Sequence, residues 1–170
     1  MKNLFFIIVL IFSSSVAFGQ DIFSAARTND TTYVKQYIQN QGVIDTANVR
    51  GFTPLILAIY NDSYEVAQLL IEGGSNVNAQ DKSGNTALMG AVFKAYPRMV
   101  ILLLGSKANV NQQNFNGASA LVFAATFGQT EIAKSLLENG ANKGIKDNTG
   151  KTALDHATFQ ENTAVIEVLK

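Results

Sequence analysis

Gly51-Phe52-Thr53-Pro54-Leu55-Ile56-Leu57-Ala58 is the stretch on which the fold turns, because its pattern returns three more times along the chain. In steps of 33 residues, Gly51 leads to Gly84, Gly117 and Gly150, Leu55 to Leu88, Leu121 and Leu154, and Ala58 to Ala91, Ala124 and Ala157. A hydroxyl stands two residues after each glycine, at Thr53, Thr86, Ser119 and Thr152. A fixed period of this length marks a repeat architecture, in which no unit buries its apolar face alone and stacking supplies the core.

The residues of one period prescribe two helices. Each hydroxyl precedes an apolar run and is placed to cap its first turn. Pro54 occupies an early helical position, where a missing N–H costs nothing. Leu55 and Ala58 are three apart and share one helix face, and the alanine lets neighbouring units approach closely. A second helix follows, carried by Val66, Leu69 and Leu70 in one period and by Ile132, Leu136 and Leu137 in another. Gly74 and Gly140 come straight after it, where a left-handed residue ends a helix. Asparagine-rich stretches such as Asn76-Val77-Asn78 and Asn109-Val110-Asn111 then turn the chain into the next period.

These residues resemble the ankyrin-repeat family, whose unit of 33 residues carries a Thr-Pro-Leu-His-x-Ala core. Here the core reads Thr53-Pro54-Leu55-Ile56-Leu57-Ala58 in the best-matching unit, with family-like tails at Leu69-Leu70-Ile71-Glu72-Gly73-Gly74 and Leu136-Leu137-Glu138-Asn139-Gly140-Ala141. The resemblance runs from Asp21 to Lys170. It implies an all-α solenoid of stacked helix-turn-helix units with short β-hairpin-like loops, about five repeats including two caps. The expected units are an N-terminal cap over 21–47, full repeats over 48–80, 81–113 and 114–146, and a truncated C-terminal cap over 147–170. The third unit departs from the pattern, with Lys107 where a glycine is expected and Tyr96-Pro97 at the start of its second helix. In the fourth, Ser135 replaces an apolar residue and Gly144 an asparagine.

Ahead of the repeats, Lys2 is followed by an unbroken apolar run from Leu4 to Phe12, three serines and an Ala17-Phe18-Gly19 exit. That order describes a signal peptide over 1–19, cleaved after Gly19. It is short of the ~20 apolar residues of a membrane span. The expected destination is the periplasm or the exterior.

Composition narrows the chemistry. Lys plus Arg and Asp plus Glu both number 13, so the chain has no electrostatic footprint for nucleic acid. Cysteine is absent and His156 is the one histidine, which disfavours metal sites, cofactors and thiolate catalysis. Asp155 adjoins His156, yet neighbours in a helix do not face each other and cannot act as orienter and base. The asparagine turns lack the acids, glycine and glutamate of a calcium loop. No catalytic or metal-ligating residue is therefore expected, and the chain reads as a non-enzyme.

The aromatics carry the functional expectation. In the ankyrin family, targets usually meet the concave surface made by the hairpin tips and the exposed side of the first helices. By register, Tyr60, Phe93 and Phe159 end the first helices, with Phe127 one step late and Thr126 in the matching slot, while Phe52 and Phe115 lie at hairpin tips. Exposed aromatics in a row give large contact area at low entropy cost. Lys82, Lys94, Arg98 and Lys107 make a mildly basic waist, with Lys82 and Lys94 near the same side. Phe52, Tyr60, Phe93, Lys94, Phe115, Phe127 and Phe159 are the expected contact residues for a protein partner of a monomeric module. The rival expectations are an inhibitor or immunity protein against a toxin or hydrolase, and a stress-protective accessory of another exported enzyme.

Overall fold

Ten helices and the loops between them make up residues 21–170, which the computed structural model describes. The leader expected over 1–19 lies outside the described residues. The helices come in five pairs: α1 (Ile22–Thr28) with α2 (Thr31–Gln39), α3 (Pro54–Tyr60) with α4 (Tyr64–Glu72), α5 (Ala87–Phe93) with α6 (Pro97–Gly105), α7 (Ala120–Thr126) with α8 (Thr130–Glu138), and α9 (Ala153–Phe159) with α10 (Thr163–Leu169). The first helices stack on one another in chain order, α1 on α3, α5, α7 and α9 in turn, and the second helices flank them. Among the described residues there is no strand, only a bridge between Gln80 and Thr86. The chain is an all-α solenoid.

Helices of seven and nine residues are too short to stand alone in water, so packing holds them. The alanine comb explains how. Ala25, Ala58, Ala91, Ala124 and Ala157 are all fully buried, and a methyl group is what fits between first helices packed this closely. Leu55, Leu88 and Leu121 are each 1% exposed, whereas Leu154, at the open end of the stack, is only half-buried.

The hydroxyl comb works in three places of four. Thr53 Oγ1 accepts from the Ile56 N–H at 3.2 Å and Thr86 from Met89 at 3.3 Å, while Thr152 and Asp155 form a reciprocal capping box. The expectation fails at Ser119, which makes no side-chain cap bond although its backbone is as extended as the others. Pro97 sits at the start of α6 without breaking it.

The loops are hairpin-like. The Asp81 N–H donates to the Asn85 carbonyl at 2.9 Å, and Asn48, Asn114 and Asp147 repeat the bond in their own loops. Consecutive loops also touch: the Lys82 N–H donates to the Arg50 carbonyl, Phe115 to Ser83 and Asn148 to Asn116. Gly84 shows why the glycine comb exists, since its φ is +78° and a Cβ there would stand 2.7 Å from the Phe115 nitrogen. Lys107 adopts the left-handed φ of +63° that Gly74 takes at +93°, so the third unit keeps the geometry without the glycine. The asparagines do more than turn the chain: Asn78 Oδ1 accepts from the Asn109 N–H and Asn111 Oδ1 from Asn142, both at 2.7 Å.

Candidate functional site

The loops and the first helices share one face of the solenoid, and the expected contact residues fall into two groups on it. Phe93, Phe115, Phe127 and Phe159 are 52%, 66%, 49% and 72% exposed. Phe93 and Phe127 meet edge to face with ring centroids 5.6 Å apart. Phe127 lies just beyond the end of α7, so its one-step offset in register does not take it out of the row. Lys94 is exposed at the end of α5, and its Nζ stands 5.9 Å from the Tyr96 ring. Lys151, in the last loop, lies 5.0 Å over the ring of Phe159.

Phe52 and Tyr60 behave differently. Both are half-buried, and their rings stack at 5.7 Å. A Cβ on Gly90 would meet the Tyr60 ring at 2.9 Å, so the ring leans on the bare backbone of α5. Burial, helped by the Asp81 carboxylate, pushes the Tyr60 hydroxyl above its ordinary value. Exposure separates these two aromatics from Phe93, Phe127 and Phe159, which stay about half or more open, while Phe115 is open although its ring edge leans on Gly84. The basic waist is also split, because Arg98 lies on α6, with its guanidinium 3.8 Å from the Tyr64 ring and 4.0 Å from Glu65 on the second helices.

A hollow of about 420 Å³ lies on the face between α7 and the last loop. Val122, Phe123 and Phe127 form its apolar wall, and Asp147 and His156 border it. Register alone does not single out Phe123, which shares its slot with Leu57, Gly90 and His156. It packs 6.3 Å from Phe127 and extends the exposed aromatic row into the hollow.

His156 does not pair with Asp155, whose carboxylate is occupied in the capping box. It pairs with Asp147, Nε2 to Oδ2 at 2.6 Å, with side chains 21% and 10% exposed. A fifth comb fixes the place of Asp147 in its loop, though not its pairing with His156. Asn48, Asp81, Asn114 and Asp147 are spaced by 33, and each Oδ1 accepts two backbone N–H groups of its own loop. Asp147 therefore has one oxygen in the loop and the other on His156. The Thr149 hydroxyl at 2.6 Å, then His156 and the backbone N–H groups of Lys151 and Thr149, hold its carboxyl well below the usual range against the pull of burial. The pair ties the last loop to α9. Among the described residues no group of His, Asp and Glu is arranged to hold a metal ion. No helix among them is long and apolar enough to cross a membrane.

The face thus offers ring edges, ring faces and cations on a rigid stack, a surface suited to contact. A family model described as ankyrin repeats, with three copies, matches residues 22–114 and 88–170. No curated protein sequence matches the chain.

Proposed function

The chain belongs to the ankyrin-repeat family, whose repeats are protein–protein interaction modules and are generally not catalytic, and from that premise we propose that it acts after export as a monomeric binding module. Its partner is a protein, held on the face shared by the loops and the first helices. The observation that carries this reading is the row of Phe93, Phe127 and Phe159, three rings about half or more exposed at matching ends of successive first helices. The apolar run from Leu4 to Phe12 behind Lys2 supports export to the periplasm or beyond.

The test is affinity capture from the native host with the chain and with its Phe93→Ala/Phe127→Ala/Phe159→Ala variant. Tyr60 is left intact because it packs against Gly90. Circular dichroism first establishes that both are folded. A protein retained by the first and lost by the second supports the reading; equal recovery by both overturns it. A single tight one-to-one target whose activity is blocked would identify an inhibitor or immunity protein. An exported enzyme protected against oxidants would identify a stress accessory.

A further inference from the structure

Charge is sorted between the two sides of the solenoid. All six glutamates, Glu65, Glu72, Glu131, Glu138, Glu161 and Glu167, lie on second helices or in the turn leading to one. The aspartates among the loops and first-helix starts accept hydrogen bonds: Asp45 from the Asn76 N–H, Asp81 and Asp147 from N–H groups of their own loops, and Asp21 and Asp155 as helix caps. On the same side Arg50, Lys82, Lys94 and Lys151 are exposed, and among the described residues none of them is in an ion pair. The contact face thus presents open rings together with exposed cations that are in no ion pair among the described residues.

We infer that the partner presents an acidic segment with one bulky apolar side chain, which seats in the hollow between α7 and the last loop while its carboxylates lie along Arg50, Lys82, Lys94 and Lys151. This rests on the binding face proposed above and names the chemistry that fits it. The hollow of about 420 Å³ has room for a phenylalanine or leucine side chain, and Val122, Phe123 and Phe127 line it with carbon. It does not suit a carboxylate, because Asp147 stands at its edge with both oxygens already engaged. The acids must therefore flank the anchor. Unpaired surface cations chiefly speed encounter and select partners, whereas a buried apolar anchor slows release.

Fluorescence anisotropy with the full chain tests this. The probes are a short synthetic peptide of Glu and Asp around one central Phe, the same peptide with Ser at the centre, a Lys/Arg counterpart, and single-stranded oligothymidylate. The acidic Phe peptide is expected to bind in a salt-sensitive manner, and Ser at the centre to weaken it about tenfold, the loss of one apolar anchor. Lys82→Glu/Lys94→Glu/Lys151→Glu is expected to abolish binding with circular dichroism unchanged. Equal binding of the acidic and basic peptides, no binding of the acidic one, or tighter binding of the oligonucleotide overturns the inference. A host partner captured through Phe93, Phe127 and Phe159 by a neutral or basic segment also overturns it, yet leaves the binding face standing. Capture indifferent to those rings removes the binding face itself.

Discussion

At Gly84 two constraints coincide, the left-handed φ of +78° and the Phe115 nitrogen 2.7 Å from any added Cβ; at Gly74 φ is +93° and nothing lies within 4 Å. Gly74→Ala is therefore expected to cost only the conformational penalty, about 1 kcal/mol. Gly84→Ala adds displacement of a neighbouring loop and is expected to cost about 2–4 kcal/mol. Urea unfolding of the two variants separates the terms. Lys107→Gly should move the other way, by about 0.5–1 kcal/mol, because it relieves a φ of +63°. Asp147 sets an acid limit. Its carboxyl is held below the ordinary value of 3.8, so the folded state favours the charged form. The stabilisation is complete above that value and is lost as pH falls through and below it. Asp147→Asn keeps the loop acceptor that Asn48 and Asn114 use and removes the titrating group. Acid unfolding followed by circular dichroism should be shallower in that variant.

Helices of seven residues depend on their ends. Thr53 and Ser119 occupy one register position, yet only Thr53 bonds its helix. Thr53→Ala should cost about 1 kcal/mol, whereas Ser119→Ala should cost a few tenths, measured by the same urea titration. Between units, side chains at one position of the helix-helix turn reach back to the preceding first helix. Ser63 donates to the Arg27 carbonyl at 3.4 Å, Gln129 to Val92 at 2.8 Å and Asn162 to Ala125 at 2.9 Å. Three different residue types serve one purpose there, so the position does not show as a comb in the sequence.

In a stack where each unit touches only its neighbours, stability is graded along the axis. α9 and α10 have a neighbour on one side only, and Leu154 is half-buried where Leu55, Leu88 and Leu121 are closed off. Amide hydrogen exchange should show α9–α10 opening at a lower free energy than α5 and α7. Uniform protection from α5 to α10 would contradict this. The sequence by itself determined the solenoid. Its glycine, leucine, alanine and hydroxyl combs record constraints that recur in every unit: a left-handed turn, a packed face, a close approach and a helix start. It also showed which first helices end in an aromatic. Only the tertiary structure decided that Phe52 and Tyr60 are half-buried against one another and Gly90, while Phe93, Phe127 and Phe159 stay open. That distinction depends on what the next unit places opposite, a bare glycine at Gly90 and a phenylalanine at Phe123. The tie from His156 to Asp147 was hidden for a related reason. It joins a loop to a helix through two side chains whose repeat equivalents make no such pair, and periodicity reports what units share.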